Sequence, residues 1–215
     1  MKNIKMKMIL AYLIGMIPTS RLRVFFYRTI FNYRIYRSYI GRNTIVVVDD
    51  AEITDCQIGG NNKFIGPMRI TIERGASIGN NNTFSCGWWT LEEQFKTANY
   101  DRHLQIGTST LITSEHHFDV VGAFALGNHS WIAGCGSQFW THGAGIADRN
   151  ITIGEHCYIG SAVRFAPGSS VANNSLVGLG SVVTKKFDTD NVIIAGQPAR
   201  IVRENYDWKS QKDIC

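Results

Sequence analysis

An aliphatic or aromatic residue recurs at every sixth position from Ile153 to Val183: Ile153, Ile159, Phe165, Val171, Val177 and Val183. A period of six matches neither the 3.6-residue turn of an α-helix nor the two-residue alternation of a simple strand. Small or turn-forming residues follow the anchors, as Gly154, Gly160, Ala166, Ala172 and Gly178 do, before Thr184 ends the series. Each hexad therefore supplies a short strand and a turn, and three hexads close one triangular coil. The anchor points inward and stacks on its counterpart one coil away, at about the 4.8 Å spacing of paired strands. The expected class is all-β, a parallel β-helix of hexapeptide repeats.

The same phasing starts at Ile40-Gly41 and Val46, resumes at Ile58-Gly59, Phe64 and Ile70, and shifts to Ile72, Ile78-Gly79 and Phe84. It returns at Ile106-Gly107, Ile112 and Phe118, and again at Leu126-Gly127 and Ile132. At Gln138 the anchor passes to neighbouring Phe139 or Trp140. Asn61-Asn62, Asn80-Asn81-Asn82 and Asn173-Asn174 fill turn slots, where Asn tolerates the left-handed backbone of a tight corner. The rhythm stops over 85–105, 119–125 and 141–150, and interruptions of a repeat are loops thrown outward, often on one functional edge. The expected organisation is a basic helical segment over 1–39, a β-helix domain over 40–188 and a C-terminal extension over 189–215.

With 215 residues, 21 glycines and 4 prolines, the chain has room for one core and the composition of a turn-rich repeat. Its five cysteines are odd in number and form no C-x-x-C pair, which suits reduced, mostly packing residues of a cytoplasmic protein. The net charge of +5 is unevenly placed. Residues 1–42 hold nine Lys and Arg and no acidic residue, whereas the remainder is mildly anionic. Nucleic acid is one partner for such a segment, but an apolar run from Met6 to Ile17 argues against it. That run is too short to span a bilayer, which takes about 20 residues, and no A-x-A cleavage pattern follows it. Basic and aromatic residues at helical spacing over 21–39 suit peripheral contact of residues 1–38 with an anionic membrane surface. The competing expectation is packing on the end of the prism or on a partner subunit.

The stretch Ile153-Thr-Ile-Gly through Val183-Thr-Lys-Lys, followed by Ala195-Gly-Gln-Pro-Ala-Arg200, resembles the bacterial hexapeptide-repeat acyltransferases, and within them the O-acetyltransferases of surface polysaccharides. The resemblance is specific over 141–203. It implies left-handed coils, a homotrimer and an acetyl-CoA site in the groove between subunits, with no metal. Residues matching the family's contacts to the pantetheine arm are Tyr158, Ser161, Leu179 and Gly180; Thr184, Lys185, Arg200 and Arg203 match those to the phosphorylated head.

Transfer to a sugar hydroxyl needs a base, because the hydroxyl must lose its proton as it attacks a thioester. Histidine suits the task, its pKa lying near working pH. His142, in Trp140-Thr-His-Gly at an interrupted corner, occupies the place of the family's catalytic histidine. His117, or His116 beside it, repeats the histidine–loop–coil order one coil earlier and stays open as the base. Asp119 or Glu115 could orient an imidazole, as the third member of a triad does. Trp88, Trp89 and Glu92 in the first long loop offer ring faces and a carboxylate to a sugar, or else pack on the adjacent coil.

Three other functions remain in view: N-acetyl transfer to an amino sugar, a γ-carbonic anhydrase-like zinc enzyme drawing on His116, His117 and His142, and a non-enzymatic solenoid. The repeat's A-G-x-P-A-R close favours acyl transfer over zinc chemistry, and projecting loops weigh against a bare scaffold. The expected function is movement of an acetyl group from acetyl-CoA to a sugar hydroxyl of a surface polysaccharide or its precursor, in the cytoplasm or at the inner face of the membrane.

Overall fold

The computed structural model describes residues 2–98 and 100–210, to which every structural statement below refers; the reading of Cys215 lies outside them. Strands of two to five residues are dealt in turn to three sheets. The first sheet runs from Arg34–Tyr36 to Lys186–Phe187, the second from Tyr39–Ile40 to Ala199–Arg203, and the third from Ile45–Val47 to Val182–Val183. Every third strand pairs in parallel, so the chain winds as a three-sided β-helix. The hexad anchors meet their partners eighteen residues on: Ile153 opposite Val171, Ile159 opposite Val177, Phe165 opposite Val183.

Alternation along each strand sends one side chain inward and the next outward. On the inner side of the third sheet, Phe64, Phe84, Phe118, Phe139 and Phe165 stack with ring centroids 4.4–5.1 Å apart. Phe139 therefore takes the slot that the six-residue count leaves at Gln138, and Trp140 turns outward. The corners are left-handed at Asn43, Asn61, Asn81 and Asn174, with φ of +55° to +60°. Gly59 in an Ile-Gly pair is dictated by the neighbouring coil, since a Cβ there would lie 2.4 Å from the Gly79 carbonyl oxygen.

The N-terminal segment forms α1 (Lys2–Met16) and α2 (Ser20–Ile30), broken at Pro18. The strand Arg34–Tyr36, inside the segment expected to be helical, already belongs to the first coil. α1 packs on Ile45–Val47, and α2 packs on the first strands of the first and second sheets. The buried Arg23 donates through Nε (2.9 Å) and Nη2 (2.6 Å) to the Ile40 carbonyl and through Nη1 to that of Ile17. The Tyr27 hydroxyl donates to the Thr44 carbonyl (3.0 Å) and accepts from the Val46 amide (3.1 Å). The helix pair thus closes the end of the β-helix rather than hanging from it, and neither helix is long and apolar enough to cross a membrane.

At the other end Ile193–Gly196 still pairs in parallel with Leu176–Val177 of the second sheet, and Ala199–Arg203 folds back on it as the antiparallel edge strand. Trp208 then covers the outer side of the second sheet, donating from Nε1 to the His156 carbonyl (2.8 Å) and packing on Tyr158 and Trp131.

Candidate active site

The long interruptions leave the prism at one edge, where the chain passes from the third sheet to the first; this is the loop edge. The first spans 86–102 and holds two 3-10 turns, Trp88–Leu91 and Glu93–Ala98, before the strand His103–Ile106 restores the coil. The second is shorter than the sequence suggests: only 120–122 turn, and Ala123–Leu126 is already strand. The third follows Gln138–Phe139 and ends at Ile151. The Asn150 amide donates to Asp101 (2.5 Å) and the Arg149 guanidinium lies 4.5 Å over the Tyr100 ring, so the first and third loops support one another.

His142 stands at the start of the third loop, half-exposed, with Nδ1 2.9 Å from Oδ2 of the buried Asp119. Asp119 ends the third-sheet strand one coil earlier, so the pair bridges two coils. The carboxylate is itself fixed: Oδ2 accepts from the Thr141 amide (3.0 Å) and hydroxyl (2.8 Å). Thr141 Oγ1 in turn accepts from the Gly122 amide (2.9 Å). With Asp119 accepting at Nδ1, the imidazole keeps its proton there and turns the Nε2 lone pair outward. Trp89 meets the His142 ring at 5.7 Å between centroids and is itself edged by Phe95 at 5.0 Å and Tyr100 at 5.5 Å.

The neighbouring histidines behave differently because alternation points them to opposite sides. His116 faces inward, in a polar corner ladder with Asn62, Asn82 and Ser137. Its amide donates to Asn82 Oδ1 (2.9 Å), Nδ1 accepts from the Ser137 amide (3.1 Å), and Nε2 meets Thr113 Oγ1 (3.0 Å). Burial pushes its pKa down to about 4. Both ring nitrogens are engaged, so His116 offers nothing to a substrate or a metal. His117 faces outward on the third sheet beside Trp140, 4.9 Å between ring centroids, and its pKa is lowered by desolvation, with Asp119 opposing the shift. No three His, Cys, Asp or Glu among the described residues are grouped to hold a metal ion.

Trp88 and Trp89 pack partly buried against the core, while exposed Glu92 accepts from the Gln94 amide (2.8 Å). Trp89 forms a wall of the His142 site rather than an open platform. Trp140, 37% exposed and two residues from His142, presents the freer ring. The sequence offers Trp140 only as a possible core anchor and gives Thr141 no role in the site. The signal for Thr141 would have been a hydroxyl beside the histidine at the mouth of a loop.

The residues matched to a CoA contact are spread over the prism. Ser161, Leu179 and Gly180 lie on the edge between the second and third sheets, the glycine edge, on successive coils tied by the Gly180 amide donating to the Ser161 carbonyl (2.9 Å). Leu179 is 78% exposed, and Gly180, at φ +70°, has nothing within 4 Å of the place a Cβ would occupy. Gln197 Nε2 donates to the Gly180 carbonyl (2.7 Å). Tyr158 lies on the outer side of the second sheet under Trp208. Thr184 and Lys185 are exposed on the loop edge, two coils beyond His142. Arg200 and Arg203 point from opposite ends of a fold-back strand, and Arg203 rests over the Tyr206 ring at 4.6 Å. One protomer therefore carries the imidazole–carboxylate pair and the open glycine corner on different edges.

No family model matches the chain. It is 47% identical over 57 residues to a galactoside O-acetyltransferase of Escherichia coli, across 26% of this chain and 28% of that protein. It is 29% identical over 118 residues to an Escherichia coli protein named for acetyl transfer in colanic acid biosynthesis, across 50% of this chain and 62% of the relative. The chain thus spans less than two thirds of the length of these relatives. In fold it is similar to a polysialic acid O-acetyltransferase, with a TM-score of 0.53 at 21% identity over 80% of this chain and 75% of the other. The chain is a hexapeptide-repeat β-helix protein whose relatives by sequence include acetyltransferases and whose neighbours by fold include O-acetyltransferases.

Proposed function

We propose that the chain is an O-acetyltransferase that moves an acetyl group from acetyl-CoA to a sugar hydroxyl of a surface polysaccharide or its precursor. The observation that carries this is the His142 Nδ1–Asp119 Oδ2 contact of 2.9 Å, held by Thr141 at the edge from which the loops project. His142 Nε2 accepts the proton of the attacking hydroxyl, Asp119 stabilises the imidazolium as it forms, and the same proton is later returned to the leaving sulfur. Acetyl-CoA supplies the acyl thioester. The open corner at Gly180 and exposed Leu179 suit its narrow arm, and exposed Arg200 and Lys185 suit its phosphates.

Because base and glycine corner occupy different edges, the site is complete only where two copies meet, as in a homotrimer of left-handed coils over 40–188. The loop edge of one copy then faces the glycine edge of the next. Such an enzyme works in the cytoplasm, where its donor is made. Amide formation on an amino sugar is a weaker reading, because an amine is the better nucleophile and asks less of a clamped imidazole.

Replacing His142 with Ala tests the assignment: acetyl transfer falls by about 10²-fold or more while CoA binding survives. Near-normal turnover in H142A, with loss in His117→Ala, would move the base to His117.

A further inference from the structure

α1 is apolar on two sides, and only one of them is used. Ala11, Ile14 and Gly15 face the prism, where the Gly15 carbonyl accepts from the Asn43 amide (2.8 Å) and a Cβ on Gly15 would lie 3.3–3.5 Å from the backbone of Asn43 and Thr44. Met6, Ile9, Leu13 and Met16 recur at helical spacing on the other side and are 57–63% exposed. α2 repeats the arrangement: Arg23 and Tyr27 are buried on the coil, while Leu22 and Phe25 stand 48% and 55% exposed between Arg21 and Arg28. Exposed apolar stripes of this kind mark contact surfaces.

We infer that the outward side of this helix pair is a docking surface for an anionic lipid bilayer. Charge selects the occupant. Residues 1–42 contain nine cations and no carboxylate. Arg34 and Arg37 are paired with Asp50, Glu52 and Asp55 of the first coils, but Lys5, Arg21 and Arg28 have no ion pair among the described residues. A second copy pressed against this surface would bring two cationic segments together with no acid between them. A bilayer with anionic headgroups takes the apolar side chains into its interface and neutralises the cations at once. Because the helices cap one end of the prism, docking leaves the loop edge alongside the bilayer normal, open to a glycan held at the membrane surface. In a trimer whose axis follows the prisms, three caps face the same way and bind together, which multiplies a weak single contact.

Co-sedimentation of the full chain with phosphatidylcholine vesicles, and with vesicles in which about a third of the lipid is phosphatidylglycerol, tests the inference. The expected result is pelleting with the anionic vesicles only, reversed by raising salt. Ile9→Glu with Leu13→Glu, on exposed positions that leave the core untouched, is expected to lower the bound fraction at least tenfold, and Arg21→Glu with Arg28→Glu to do likewise. Both pairs retain acetyl transfer to a soluble sugar, which separates this surface from the catalytic site. Two results would overturn it: a chain that stays in the supernatant with anionic vesicles at low salt, or Ile9→Glu with Leu13→Glu lowering the oligomer mass, which would make the surface a contact between copies.

Discussion

At the scale of single residues, the site depends on one carboxylate doing two jobs. Asp119 Oδ2 takes the His142 imidazole and both donors of Thr141, so the start of the third loop and the imidazole are positioned together. The adjacent His116 is committed to structure, and its acidity can be read out. Burial holds its pKa near 4, below its ordinary value of 6.5. Between those values the unfolded chain binds the proton and the folded chain does not, so stability is full above about pH 6.5 and declines as pH falls toward 4. The loss is on the order of 3 kcal/mol. Thermal unfolding followed from pH 7 to pH 4 is expected to show that decline, and His116→Asn, which can keep part of the ladder, to flatten it. An unchanged slope in the variant would remove His116 as its source. The sequence offers Asp119 and His142 as candidates, beside Glu115 and His117, because polar residues at interrupted corners stand out against the repeat; that Asp119 and His142 meet across two coils was not legible there. Which of His116 and His117 faced outward was not, since that depends on a strand parity the loops obscure.

At the scale of elements, the repeat determined most of what could be read. Anchors spaced by six placed the coils, and the Asn-rich slots placed the corners. The phenylalanine stack on the third sheet shows what the repeat is worth. Phe118 touches the rings of Phe84, Phe139 and Phe124 at 4.4–5.0 Å between centroids. Truncating it to Ala leaves a hole between rigid coils that cannot close, a cost of about 3–5 kcal/mol. Urea unfolding is expected to show that loss, whereas a shift under about 1 kcal/mol would mean the coils relax around the gap. Strands broken by insertions were harder to place. Ala123–Leu126 looked like a pause because its hexad is reached by a three-residue turn rather than a uniform corner. Arg34–Tyr36 looked helical because its basic and aromatic residues continue the pattern of α2. The role of the helices as a closed cap, carried by Arg23 and Tyr27, left no trace in periodicity. A buried guanidinium bound to backbone carbonyls has no sequence signature apart from an ordinary surface arginine.

At the scale of the whole molecule, the proposed chemistry needs more than one copy because of the geometry of one chain. A β-helix is rigid and repetitive, so it cannot fold one edge onto another, and groups on different edges meet only by association of copies. His142 with Asp119 on the loop edge and Ser161, Leu179 and Gly180 on the glycine edge are such groups. The resemblance of the sequence to trimeric acyltransferases implies a shared groove, but it does not say which edges would face each other, because edge identity follows from counting strands around the coil. Mixed assembly examines that arrangement. His142→Ala removes the imidazole proposed as the base and Leu179→Asp, at a 78% exposed position, blocks the glycine edge; each variant is expected to be inactive by itself. Refolding the two together, and assaying acetyl transfer from acetyl-CoA to a sugar acceptor, is the most direct measurement. If each site joins the loop edge of one copy to the glycine edge of the next, random mixing restores roughly a quarter of the sites, because half the copies supply each intact edge. Recovery near that level is the expected result, and mixtures as inactive as their components would contradict a site shared between copies.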